Sequence, residues 1–94
     1  MTAIEQRAIA ALSGVSVGCY RVPGKGNVPA DRAGLARARE LFRILETNPE
    51  RPLTFDEAGD LWYYCWKYRR QISDPEVIAR ANEVVNGALS LRFC

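Results

Sequence analysis

The chain has 94 residues, 48% hydrophobic and 26% charged, a composition that suits one modest core and excludes disorder, a repeat array or a two-domain enzyme. Thirteen basic against eleven acidic residues leave +2, too little to demand a membrane or nucleic-acid partner. Histidine is absent, which excludes Ser-His-Asp and Cys-His catalysis, histidine metal sites and histidine pH switches.

The first predicted helix covers about residues 3–12. Thr2 and Glu5 have capping-box spacing, in which the threonine hydroxyl accepts from the third helical amide and the glutamate reaches back. Ile4, Ala8, Ala11 and Leu12 share one face, and Gly14 ends the helix. From Gly14 to Val28 the pattern is not helical. Val15, Val17 and Cys19 alternate, and Pro23-Gly24-Lys25-Gly26-Asn27 is turn chemistry. A lone strand has no partner in an otherwise helical chain, so this stretch is expected to be an extended loop that pairs, if at all, with its counterpart in a dimer.

The second helix is expected at about 30–46, with Leu35, Ala38, Phe42 and Leu45 on a stripe widened by Leu41 and Ile44. Asn48-Pro49 stops it. The third is expected at about 55–72 behind a Thr54/Glu57 capping box, burying Ala58, Leu61, Cys65 and Ile72. The fourth, about 75–90, follows a Ser73/Glu76 box with Pro75 in its first turn and buries Val77, Ala81, Val84, Ala88 and Leu91. Short connections make helices two, three and four antiparallel neighbours, with the first lying across them. The expected fold is an all-α single domain of four helices over residues 1–94.

Chemistry-bearing residues are few. Cys19, Cys65 and Cys94 are widely spaced and form no C-x-x-C pair, which points to a reducing compartment and to Cys65 as a small buried apolar residue. With no apolar run long enough to cross a bilayer and no leader pattern, a cytoplasmic, soluble protein is expected. Gly24-Lys25-Gly26 fits neither a Walker loop nor a dinucleotide fingerprint, and reads as a flexible loop presenting Tyr20, Arg21 and Lys25. Asp56 and Asp60 lie one turn apart, but nothing in the pattern desolvates either, so no catalytic residue, cofactor or metal is expected.

The third helix is the most unusual segment. Trp62 and Tyr68 flank its core face and read as core. Phe55, Tyr63 and Trp66 continue round one side, beyond the width of a buried stripe. Arg69 and Arg70 stand three and four residues after Trp66, so either guanidinium can lie over the indole. Trp, Tyr and Arg dominate binding hot spots. Trp66, Tyr63, Arg69 and Arg70 are therefore the candidate anchors for a larger protein or ribonucleoprotein partner, with Tyr20, Arg21 and Lys25 as rim; the same patch would serve a homodimer. On the second helix Arg32, Arg39 and Arg43 form a basic ridge opposite the apolar stripe, with Glu40 and Glu46 each three residues from Arg43 and expected to offset part of its charge. This ridge carries the alternative expectation, direct binding of DNA or RNA.

Leu53-Thr54, Glu57-Ala58, Leu61-Trp62 and Trp66-Lys67-Tyr68-Arg69-Arg70-Gln71-Ile72 resemble a short helix in small proteins of proteobacterial phages and mobile elements. The resemblance covers residues 53–72 only. It implies an accessory protein that binds and inhibits a host macromolecular complex, CRISPR effectors included.

Overall fold

The computed structural model describes the backbone of residues 1–92 and the side chains of residues 1–87. Its elements are α1 (Ala3–Ser13), β1 (Cys19–Val22), β2 (Gly26–Pro29), α2 (Arg32–Thr47), α3 (Phe55–Lys67), a 3-10 turn (Arg69–Gln71) and α4 (Pro75–Arg92). The molecule is mostly helical, and the hairpin corrects the all-α expectation.

Two capping boxes form as their spacing predicts. Thr2 and Thr54 each accept from the amide three residues on, while the Glu5 and Glu57 carboxylates accept from the threonine amides. The third box is displaced by one residue. The Asp74 carboxylate, not Ser73, accepts from the amides of Glu76 and Val77. Pro75 occupies the first helical position and so makes Asp74 the cap, and an ionised carboxylate is a strong acceptor there. Arg7 of α1 then clamps Asp74 from two nitrogens, at 2.8 and 3.0 Å, tying α1 to the start of α4.

The segment expected to be an unpaired loop folds back on itself. β1 and β2 pair antiparallel, with Tyr20 opposite Val28 and Arg21 opposite Asn27. The turn explains the closure: Lys25 donates its amide to the Val22 carbonyl at 3.0 Å, with Pro23 and Gly24 between them. Proline presets the second turn position, and Gly24 (φ 81°) and Gly26 (φ 76°) take left-handed conformations closed to most residues. Pairing is therefore within the chain, and a dimer is not needed to complete the ribbon.

One cluster of buried side chains joins the helices: Ile9 and Leu12 of α1, Leu41 of α2, Leu61, Trp62 and Cys65 of α3, and Val77 of α4. Three placements differ from expectation. Ile9 is buried although it lay outside the face predicted for the first helix. Leu41, not the Leu35–Ala38–Phe42–Leu45 stripe, is the fully buried residue of α2, and the stripe is only partly covered. α3 stops at Lys67 because Tyr68 leaves helical geometry (φ −104°, ψ 23°) and the chain tightens into the 3-10 turn, although Ile72 is still buried. Ala58 is half-buried. Val77 and Ala81 are buried as expected and Val84 is half-buried, whereas Ala88, Leu91 and Cys94 lie outside the described side chains.

α2 and α3 run antiparallel. Asp31, capping α2, meets Lys67 and Tyr68 at the far end of α3, and Arg37, six residues later, meets Asp60. At the opposite end the N-terminal ammonium donates to the carbonyls of Pro49 and Arg51, and Arg51 pairs with the buried Glu57. Glu57 is held below the usual carboxylate range by the Thr54 amide and then by Arg51. The tertiary frame therefore sets the α3 surface that faces away from the core.

Candidate functional site

On an α-helix, positions i, i+4, i+8 and i+11 follow one line along the surface. Phe55, Gly59, Tyr63 and Trp66 occupy such a line on α3, at the margin of its buried face. Phe55 is 93% exposed and Tyr63 46% exposed, whereas Trp62, one residue earlier, is 5% exposed within the core. Trp62 is core and Tyr63 is surface, as expected, but Trp66 and Tyr68, expected on opposite sides of that division, do not separate. Trp66 is half-buried, with one edge packed on the core. Tyr68 is half-buried too.

The ridge is ordered by its own contacts. Tyr63 lies tilted against Trp66, ring centroids 6.3 Å apart, and edge-on to Tyr64 at 5.1 Å. The Arg69 guanidinium sits 4.9 Å from the indole centroid while its Nη1 donates to the Trp66 carbonyl at 2.9 Å. That carbonyl belongs to the last turn of α3, so Arg69 both caps the helix and stacks on its terminal tryptophan. Of the two arginines able to reach the indole, Arg69 does so; Arg70 is exposed. A Cβ built on Gly59 would meet no atom within 4 Å, so the ridge has an open notch between Phe55 and Tyr63.

Beside the end of this ridge lies a polar hub that the sequence reading did not single out. Asp31 Oδ2 accepts from Lys67 Nζ at 2.7 Å and from the Tyr68 hydroxyl at 2.5 Å, while Oδ1 accepts from the Gly34 amide at 2.9 Å. These donors, Lys67 first, hold the Asp31 carboxyl down at about 2. Burial, followed by the hydrogen bond to Asp31, pushes the Tyr68 hydroxyl up to about 12. The available signal was Asp31 three residues before Gly34, since an N-cap aspartate opposite a glycine leaves room for its own carboxylate. A Cβ at Gly34 would lie 2.5 Å from Asp31 Oδ2 and 2.8 Å from Tyr64 Cε1. Close by, the Gln71 side chain both accepts from the Ser16 amide (2.8 Å) and donates to the Ser16 carbonyl (3.0 Å). The root of the hairpin is thus pinned to the 3-10 turn on one side and to α3 on the other.

Tyr20, Arg21 and Lys25 are all exposed on that hairpin, Tyr20 at 54%. The root of their hairpin is bonded to the 3-10 turn through Ser16 and Gln71, and none of the three makes a hydrogen bond or ion pair with the aromatic ridge. Arg32, Arg39 and Arg43 are exposed along α2 and have no acidic partner among the described residues. The expected offset of Arg43 by Glu40 does not occur. Glu40 pairs with Arg37 at 3.2 Å, because Asp60 holds the Arg37 guanidinium on that side of α2 at 2.7 Å.

The partly covered α2 stripe lines a groove of about 440 Å³, in which Leu35, Ala38 and Phe42 face Leu12, Val15 and Val17. Arg39 and Tyr68 also border it. Burial pushes the Cys65 thiol up to about 12, which makes it a packing residue and a poor nucleophile. Asp60 is engaged with Arg37, and Asp56 is exposed one turn away. Among the described residues no cluster of side chains could hold a metal ion, and no helix is long and apolar enough to cross a membrane. No protein-family model, curated protein or solved structure matches the chain with significance.

Proposed function

We propose that this protein is a non-enzymatic interaction module that docks on a larger protein or ribonucleoprotein through the aromatic ridge of α3. The observation that carries the reading is that Phe55 and Tyr63 stand exposed, in line with the half-buried Trp66, along the margin of a helix whose other face supplies the core. A small domain gains stability by burying its large aromatics. Leaving this set outside forgoes that gain. Its ordering by Arg69 also lowers the entropy lost when a partner covers it. Tyr63 and Trp66 are the anchors, Arg69 and Arg70 the charged border, and Tyr20, Arg21 and Lys25 a rim supplied by the hairpin.

The resemblance of residues 53–72 to proteins of phages and mobile elements falls on this same helix. It supports the narrower reading of an inhibitor of a host complex, an anti-CRISPR-like role included. A second copy of the chain is the other occupant of the same chemistry, and sedimentation separates the two. The test is capture from host lysate with the intact protein and with Trp66→Ala in parallel, followed by affinity measurement with the purified captured protein. A loss of about tenfold or more in Trp66→Ala is expected for a central hot spot. Equal affinity of a folded Trp66→Ala protein would remove the assignment.

A further inference from the structure

The net charge of +2 conceals a division of charge along the molecule. The ion pairs use acids selectively. Arg7 takes Asp74 and Glu76, Arg37 takes Asp60 and Glu40, Arg51 takes Glu57, and Lys67 takes Asp31. What is left over is mixed in sign but divided in place: seven cations, Arg39 and Arg43 among them, and the acids Glu5, Glu46, Glu50 and Asp56 have no ionic partner among the described residues. Arg21 and Lys25 on the hairpin, Arg32 in the first turn of α2, and Arg69 and Arg70 after α3 have no acidic partner among the described residues. Arg32, Arg69 and Arg70 lie where the hairpin root, the start of α2 and the end of α3 are bonded together through Ser16–Gln71 and Asp31–Lys67–Tyr68, and the hairpin that carries Arg21 and Lys25 is rooted there. The stretch from Gly14 to Ala30 contains no acidic residue, and the one carboxylate at the junction, Asp31, is already neutralised by Lys67. Glu46, Glu50 and Asp56, which have no basic partner among the described residues, sit at the opposite end, around the α2–α3 connection.

From this partition we infer that the hairpin end is a binding site for the phosphate backbone of a nucleic acid, a function beyond the docking of α3. The chemistry favours phosphate over an acidic protein surface on two counts. Four of the five cations at this end are arginines, whose guanidinium forks match phosphate oxygens bidentately. Two of the five ride on a two-stranded ribbon, an element that nucleic-acid grooves admit, with the exposed Tyr20 between them and the root. Arg39 and Arg43 extend the same charge along α2, about 10 and 16 Å beyond Arg32 at the helical rise, for a backbone that continues past the end. The acidic opposite end orients the protein on a polyanion, since it is repelled where the hairpin end is attracted.

The test is fluorescence anisotropy of a labelled duplex DNA, titrated with the full-length protein over a series of salt concentrations. Five phosphate contacts predict that log affinity falls with log salt at a slope of about −4.5. Arg21→Ala/Lys25→Ala should flatten that slope by about 1.8, as should Arg32→Ala/Arg70→Ala. Arg80→Ala is the matched control: it removes one positive charge, but from a pair with Glu83 on α4, and should leave the slope unchanged. A single strand of equal length forms a second arm; binding there with a slope near −0.7 per contact, weakened in Tyr20→Ala, supports the same site with a stacked base. Three results overturn the proposal: no binding at low salt, an Arg80→Ala effect at least half as large as that of Arg32→Ala/Arg70→Ala, or equal affinity for polyglutamate of matched charge. Circular dichroism of each variant should show the helices retained, since Tyr20, Lys25 and the substituted arginines are exposed.

Discussion

The two faces of α3 are built from the same residue types and do opposite things. On the inner face Trp62 sits with Leu61 and Cys65 in the core, and Tyr68 anchors its hydroxyl on Asp31. On the outer line Trp66 is covered by an arginine, and Tyr63 has almost half its surface in water. Aromatic content therefore says nothing about role until the helical angle and the neighbouring elements are known. The inner set is held by α1, α2 and α4; the outer set is held by itself, by Arg69 and by the packing of Trp66 against the core.

The largest consequence of that difference is in stability. Trp62→Ala should cost about 3–5 kcal/mol by loss of buried surface and formation of a cavity, enough to unfold a marginal domain. Trp66→Ala, on the outer line, should cost no more than about 1–2 kcal/mol, because only one edge of the indole is packed on the core. Urea denaturation of the two variants side by side measures both.

The hub that joins the faces should come next. Asp31→Ala removes the α2 cap, the ion pair to Lys67 and the partner of the Tyr68 hydroxyl, for an expected loss of about 2–3 kcal/mol. The same group makes stability depend on acid. Its folded pKa of about 2 lies below the ordinary 3.8, so its contribution is complete above about pH 4 and is lost as pH falls through 2. Because Lys67 is partly exposed, that contribution is on the order of 1–2 kcal/mol. Asp74 and Glu57, also held low by their partners, add to the loss in the same direction. Thermal unfolding between pH 2 and pH 6 should show a flatter acid limb for Asp31→Asn than for the parent.

The smallest effect, and the most discriminating in sign, comes from two glycines. Gly59→Ala places a methyl in open space within a helix and should stabilise by about 0.5–1 kcal/mol. It also fills the notch between Phe55 and Tyr63, so it should weaken docking while strengthening the fold. Gly34→Ala should destabilise despite the better helix propensity, since the added carbon meets Tyr64 and the capping carboxylate at less than 3.0 Å. Melting temperatures of opposite sign would confirm both environments.

The sequence pattern revealed the helices well because their ends are written locally. Thr2–Glu5 and Thr54–Glu57 carry both donors and acceptors of a capping box within four residues, and Gly14 and Asn48 stop their helices where expected. What depends on distant partners was not legible. β2 is Gly26-Asn27-Val28-Pro29, with none of the alternation that marks a strand, and it pairs only because the Pro23-Gly24 turn brings it beside β1. Leu41 is the core residue of α2 because α1 and α3 approach that side, which periodicity alone cannot distinguish from the neighbouring Leu35–Phe42 line. Arg37 drew Glu40 away from Arg43 through Asp60, more than twenty residues on. Of the candidate surface, the outward Tyr63 and the Arg69–Trp66 stack were readable from helical angle; the separation of the hairpin rim from that ridge, and the Asp31 hub, required the fold.

The reading of α3 as a docking helix stands most directly on the affinity of Trp66→Ala for the captured partner, measured on protein that melts within a few degrees of the parent. A fall of tenfold or more with the fold intact is the result expected of an anchor on the outer line. Unchanged affinity would show that the partner is held elsewhere, and collapse of the fold to the extent expected of Trp62→Ala would show that Trp66 belongs to the core.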